Sequence, residues 1–120
     1  MIFNDDYLLF LDVARDFFAK HGGVDLSTQL IKLQEETGEA AASYIGLLGA
    51  NPRKGVTHTA RDVADELADV AITALIAIKF AGFDPDSVMA AQAIKTKQRL
   101  AEWYEENGRP EDEDPVGDDG

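Results

Sequence analysis

The sequence predicts an all-α domain of four main helices. Apolar residues recur three or four positions apart through several long segments, which is the spacing of one helix face. Helix-capping residues and glycines separate these segments, and no segment alternates apolar and polar residues as a strand would. Because 120 residues are enough for one modest core, we expect a single domain over residues 1–108. Residues 109–120, rich in acids with proline and glycine, are expected to form a disordered acidic tail.

The first helix is expected from about Asp5 to His21, where Gly22 and Gly23 stop it. Its aromatic residues follow helical spacing, and a stripe of this kind usually packs into a core. The predicted core face consists of Phe3, Tyr7, Phe10, Ala14 and Phe17.

The second helix carries acids inside its apolar face. Asp25 or Ser27 can cap its start, and it runs to about Leu48. Glu36 projects into the apolar stripe, with Glu35 and Glu39 near its edge. Buried carboxylates without partners are costly, so we expect something positive among them. The stripe consists of Leu26, Leu30, Leu33, Ala40, Tyr44 and Leu48.

The third helix begins at the capping pair Thr59 and Asp62 and runs to about Ala81, before Gly82. Its second half, residues 70–78, is apolar all round, which is typical of a helix surrounded by protein. In so short a chain, this predicts that a partner subunit covers part of it. Its first half is acidic on one side, with Asp62, Asp65, Glu66 and Asp69.

The fourth helix begins at Asp84-Pro85, a cap followed by a first-turn proline, and stops at Gly108. Its middle is basic. The loop between the second and third helices, residues 49–55, contains the bases Arg53 and Lys54. This loop is either a solvated tip or a mobile basic loop that meets a polyphosphate.

Composition excludes several classes of function. The chain has no cysteine, which rules out disulfides and thiolate sites. Its formal charge is −12, so a nucleic-acid partner is not expected. The longest uncharged apolar run, residues 70–78, is far too short to span a bilayer. Asp5 and Asp6 stand where a secretory signal would place bases, and we expect a cytoplasmic protein that does not bind membranes.

Two acid pairs indicate a metal site. Glu66 and Asp69 share one face of the third helix, and packing against the second helix would bring them to Glu36 and Glu39. Oxygen ligands without His or Cys favour a hard ion, Mg²⁺ with Mn²⁺ as a possible substitute. The alternative is that these acids are ordinary solvated residues on helix surfaces. A ferritin-like di-metal site is excluded, because neither histidine follows a glutamate by three residues.

These residues stand in a recognisable order. Glu35-Glu36-Thr37-Gly38-Glu39, followed by Glu66-Leu67-Ala68-Asp69, resembles the Glu-Glu-x-x-Glu … Glu-x-x-Asp signature of the MazG-like nucleotide pyrophosphohydrolases. The resemblance covers roughly residues 27–99. It implies a four-helix MazG-like bundle completed by oligomerisation, as a homodimer or a dimer of dimers. It also implies Mg²⁺-dependent hydrolysis of a (deoxy)nucleoside triphosphate to the monophosphate and pyrophosphate, in nucleotide-pool housekeeping.

The resemblance assigns roles by position. It implies that Glu35 orients or deprotonates the attacking water or holds a further ion. The family often has a Lys-x-x-Asn element followed by Arg on its last helix, and here Lys95, Gln98 and Arg99 come closest, with Gln in place of Asn. Together with Arg53 and Lys54, these three are candidate substrate-binding residues. The implied metal ligands are Glu36, Glu39, Glu66 and Asp69.

Two other functions fit the sequence. One is phosphoribosyl-ATP pyrophosphohydrolase, a related enzyme of histidine synthesis that shares the acidic helices. The other is a non-catalytic helical oligomer whose acids are only solvated. The nucleotide consumed separates the first from the main hypothesis, and the response to Mg²⁺ with nucleotide separates the second.

Overall fold

A computed structural model describes residues 1–110 of the chain. Four α-helices follow one another, α1 (Asp5–Gly22), α2 (Leu26–Leu48), α3 (Ala60–Phe80) and α4 (Pro85–Asn107). Within residues 1–110 there is no strand, so the predicted all-α fold with four helices is confirmed. The predicted acidic tail falls mainly on residues 111–120, which lie outside the described part of the chain.

The helix starts follow the capping chemistry of the sequence. Asp25 caps α2 and Thr59 caps α3. In each case the cap side chain accepts from the backbone N–H of the third helical residue, and the backbone N–H of the cap donates to the side chain of that residue. Asp84 caps α4, with Pro85 in the first turn. The C-cap Gly49 has a φ of 65°, a left-handed conformation that glycine adopts readily and that ends α2 as predicted.

The helices α2 and α3 lie side by side and antiparallel. Near the start of α2, the Gln29 side chain donates to the backbone carbonyl of Thr73, late in α3. Near the end of α2, the carbonyl of Gly46 accepts from the N–H of Thr57, just before α3. The first half of α3 therefore lies beside the second half of α2, which brings the acidic segments of both helices together.

The apolar core lies between α1 and α3 and is small. Its fully buried members are Leu11, Leu75 and Ile76. The predicted aromatic face of α1 is wrong at two positions, because Phe10 is 48% exposed and Phe17 is 58% exposed. The residue that the prediction missed is Leu11, which is 0% exposed. The partly buried residues around this core include Phe3, Tyr7, Leu8, Ala14 and Phe18.

The predicted apolar face of α2 is correct at Ala40, which is buried, and wrong as a core face at most of its other positions. Leu30, Tyr44 and Leu48 are 48%, 51% and 59% exposed. The α2 residues that are buried are instead Gln29, Ala40 and Ser43, and Glu36 is half-buried. The helix thus buries a largely polar face and leaves Leu26, Leu30 and Leu48 exposed, while Leu33 and Leu47 are half-buried.

The apolar second half of α3 is covered mainly by the chain itself. Thr73, Leu75, Ile76 and Ala77 are buried, and of residues 70–78 only Ala71 is exposed. This half therefore does not by itself require a partner subunit. The predicted oligomer remains a prediction, and the exposed apolar residues that bear on it lie on α1, α2 and α4.

The last helix is supported only at its start. The carboxylate Oδ1 of Asp86, in the first turn of α4, accepts from the backbone N–H groups of Ile2 and Phe3 at 2.7 and 2.8 Å. This clamp ties the segment before α1 to α4. Beyond it, every residue from 91 to 103 is exposed, including Ile94 and Trp103.

Candidate metal site

Three carboxylates from α2 and α3 meet in one place. One oxygen from each of Glu36, Glu39 and Glu66 lies within 4.8 Å of the other two. We call these three residues the acid cluster. Glu36 and Glu66 are half-buried, whereas Glu39 is exposed, so the cluster has one side in the helix seam and one side open to solvent.

The electrostatics of the acid cluster are unfavourable without a cation. Burial raises the pKa of Glu36 above its ordinary value, and the negative charges of Glu39, Asp69 and Glu66 raise it further. The Oε2 atom of Glu66 is buried and has no hydrogen-bond partner. A buried acceptor of this kind is costly unless it is paired.

Basic side chains of residues 1–108 form no ion pair with the acid cluster. Among residues 1–108, the ion pairs are Arg15–Asp16, Arg61–Asp65 and Lys79–Asp12, and none includes a member of the acid cluster. Asp65 is already paired within its own helix, because Arg61 Nε lies 2.7 Å from Asp65 Oδ1. Three clustered carboxylate oxygens and an unpaired buried acceptor fit a hard divalent cation, which prefers oxygen ligands.

The other two predicted acids lie outside the cluster. Asp69 is exposed, yet its negative charge helps raise the pKa of Glu36. Burial and the charge of Glu39 have larger effects on that pKa. Glu35 is exposed and is not one of the three clustered acids. Of the five acids predicted for the site, three therefore lie together in the structure.

The predicted basic residues do not contact the acid cluster within one chain. Lys95, Gln98 and Arg99 lie in the fully exposed stretch of α4, and none of them pairs with a clustered acid. Arg53 lies in the turn after α2, where its N–H donates to Asn51 Oδ1 at 3.1 Å. Lys54 lines a cavity in the same loop.

Sequence reasoning missed two buried polar residues beside the acid cluster. Gln29 and Ser43 are 1% and 2% exposed, and they stand seven residues before and seven after Glu36 on the same helix face. Gln29 Oε1 and Ser43 Oγ have no hydrogen-bond partner. The seven-residue spacing of Gln29, Glu36 and Ser43 is the signal that could have shown this polar seam.

Comparisons with models of known protein families, with curated proteins and with solved structures found no match for this chain. The acid cluster and the motif in which its residues stand are therefore the features that bear on function. No helix within residues 1–110 is both long enough and apolar enough to cross a membrane.

Proposed function

We propose that the protein hydrolyses (deoxy)nucleoside triphosphates to nucleoside monophosphate and pyrophosphate, using Mg²⁺ or, in its place, Mn²⁺. The observation that carries this proposal is the acid cluster, in which three carboxylate oxygens lie within 4.8 Å of one another and form no ion pair with a basic side chain of residues 1–108. The order of the acids along the chain, which resembles the MazG-like signature, supplies the reaction class.

The residues present fit a Mg²⁺ site. Mg²⁺ is usually held by one or two carboxylates and keeps positions open for water and substrate phosphates. Glu36, Glu39 and Glu66 would hold it, and the unpartnered Oε2 of Glu66 is a natural ligand atom. Asp69, one turn beyond Glu66, would hold a further ion or a metal-bound water. When bound, the cation polarises phosphate oxygens and offsets the charge of the leaving pyrophosphate.

The chemistry left to the chain is positioning. Water attacks the α-phosphorus, its oxygen forms the new P–O bond, and the bond from the α-phosphorus to the bridging oxygen of the pyrophosphate breaks. Glu35 is exposed beside the cluster, where it can accept the proton that the water loses. No covalent intermediate with the protein is required.

We also propose that the working form is a homodimer or a dimer of dimers in a MazG-like bundle. A helix that is exposed on all sides is marginal in water, and residues 91–103 of α4 are in this condition. Leu30 and Ile31 on the outer face of α2 are 48% and 65% exposed. A second copy that covers these surfaces would bury apolar area and could bring Lys95, Gln98 and Arg99 close to bound phosphates.

The proposal is tested by a panel of canonical and oxidised nucleoside triphosphates with Mg²⁺, scored for pyrophosphate against orthophosphate. We expect Glu36→Gln and Asp69→Asn to abolish pyrophosphate release while the helical circular dichroism signal is retained. Glu106→Gln, the same kind of change at an exposed site near the end of α4 and beyond residues 91–103, is the control and should keep full activity. Wild-type turnover in both site variants would refute the ligand assignment.

The same panel includes phosphoribosyl-ATP, whose exclusive use would reassign the substrate. A melting temperature that does not move with Mg²⁺ and nucleotide, together with no product from any substrate, would favour the non-catalytic oligomer instead.

A further inference from the structure

A cavity of about 270 Å³ lies where the loop after α2 folds back on the helix. We call it the loop pocket. Its walls are mainly apolar, with Ile45 among them, and its polar side chains are Asn51, Lys54, Thr57 and His58. Ligand pockets typically combine apolar walls with a few convergent polar groups in this way.

Backbone hydrogen bonds and the glycine at position 46 give the loop pocket its shape. The carbonyl of Asn51 accepts from the N–H groups of Lys54 and Gly55 at 3.0 and 2.9 Å, which orders the turn. The N–H of Thr57 donates to the carbonyl of Gly46 at 3.0 Å and holds the end of the loop on α2. A Cβ atom at Gly46 would lie 2.1 Å from His58 Nδ1, so the missing side chain at this position is what admits the His58 ring.

The loop pocket and the acid cluster lie along one side of the α2–α3 pair. Gly46 follows Glu39 by seven residues, which places it on the same helix face at a distance of about 10 Å along the axis. On the other helix, His58 directly precedes Thr59, whose backbone N–H donates to the Asp62 carboxylate at 2.8 Å. His58 is therefore close to Asp62, which precedes Glu66 by one helical turn.

We propose that the loop pocket binds the nucleobase of the nucleotide whose phosphates are bound at the acid cluster, an inference that rests on the proposed function. The rise of about 10 Å from Glu39 to Gly46 along α2 is comparable with the length of the ribose and phosphates of a single nucleotide. The apolar wall of the loop pocket can pack against the face of a planar base. A polyphosphate is the less suitable occupant, because Lys54 is the one lysine among residues 1–110 that lines the pocket.

His58 and Asn51 are the groups that can read the edge of the base. The Thr57 hydroxyl lies 2.9 Å from His58 Nδ1. Where Nδ1 accepts from this hydroxyl, the neutral ring carries its hydrogen on Nε2, which can donate to a ligand. The Asn51 Nδ2 group can donate to a ligand, while its Oδ1 accepts from the Arg53 N–H at 3.1 Å.

The test compares His58→Ala and Asn51→Ala with the matched controls His21→Ala and Asn107→Ala, which remove the same kinds of side chain at exposed sites. We expect the KM for the best nucleoside triphosphate to rise about tenfold in the pocket variants, because a buried polar contact is lost. The inhibition constant of inorganic tripolyphosphate, which has no base, should stay within about twofold. Gly46→Ala should act like the pocket variants by displacing His58.

Two results would overturn the loop pocket as the base site while leaving the proposed function standing. One is a KM in the pocket variants equal to that of their controls. The other is a parallel rise in the tripolyphosphate inhibition constant, which would make the pocket a phosphate site. If the wild type hydrolyses no triphosphate, the proposed function fails. Binding at the loop pocket is then tested separately, by NMR, from the backbone amide shifts caused by each of the four deoxynucleoside monophosphates. Shifts centred on residues 45–58 would support it, and their absence would overturn it.

Discussion

Replacing Glu36 with glutamine should make the metal-free protein more stable and remove its stabilisation by Mg²⁺. The reason is that Glu36 lies between two other carboxylates, with oxygens of all three within 4.8 Å of one another. Glutamine has nearly the same shape and removes only the charge. A residue kept for binding a cation is thus expected to destabilise the fold when the cation is absent.

The magnitude follows from the spacing. Two unit charges 4.8 Å apart repel by about 1 kcal/mol in water and about 3.5 kcal/mol at an effective dielectric constant of 20. Glu36 is only half-buried and Glu39 is exposed, so the lower figure applies. Removing two of the three repulsive pairs should therefore raise the free energy of unfolding by about 1 to 2 kcal/mol, or several degrees in Tm.

The assay is thermal unfolding at fixed protein concentration, with and without Mg²⁺. A cation at one hundred times its Kd should stabilise the wild type by about 2.7 kcal/mol, and Glu36→Gln should lose most of this increment. Glu106→Gln, at an exposed site, should change neither value by more than about 0.5 kcal/mol. A less stable metal-free Glu36→Gln protein that still responds fully to Mg²⁺ would refute the reasoning.

Three further predictions concern the rest of the chain. Light scattering at micromolar concentration should show an oligomer, and Ile31→Glu, at a site 65% exposed in one chain, should shift it toward monomer; a monomeric wild type would contradict this. Asp86→Ala leaves the Ile2 and Phe3 N–H groups without their carboxylate partner and should cost about 1 to 3 kcal/mol in chemical denaturation, more than Asp5→Ala. Hydrogen bonds from Thr28 lower the pKa of the Asp25 cap below its ordinary value of 3.8, so the advantage of the wild type over Asp25→Asn should be present above this pH and lost as pH falls through the lowered pKa. An advantage that persists at still lower pH would show that charge is not its source.

Local signals in the sequence predicted the helices well because they are decided by neighbouring residues. Asp25, Thr59 and Asp84 each accept a hydrogen bond from an N–H group three residues later, and the residue types alone indicate this. The meeting of Glu36 and Glu39 with Glu66 needed only that α2 and α3 be antiparallel neighbours, which a short connection favours. Both predictions depend on short-range rules.

The packing faces could not be predicted in the same way. In α1, the set Phe3, Tyr7, Phe10, Phe17 and the set that includes Leu11 and Phe18 both satisfy helical spacing, and only the position of α3 decides between them. In α2, the leucine stripe has the stronger periodic signal, yet Gln29 and Ser43 are buried along with Ala40, the one buried member of that stripe. A hydrophobic pattern shows which face is to be buried in the final assembly, and a single chain is only part of such an assembly when oligomers form.

The acid cluster and the outer apolar faces are two separate sources of instability in an isolated chain, and different ligands would relieve them. A cation acts on Glu36, Glu39 and Glu66, which all come from one chain, whereas a second copy would act on surfaces such as Ile31 and Trp103. Because the three clustered carboxylates need no help from a partner, stabilisation by Mg²⁺ and stabilisation by raising protein concentration should add to within about 0.5 kcal/mol. Melting curves over a hundredfold range of protein concentration, with and without Mg²⁺, measure this directly. A concentration dependence that becomes markedly steeper with Mg²⁺ would mean that the second copy supplies part of the cation site, and the cluster in one chain would then be incomplete.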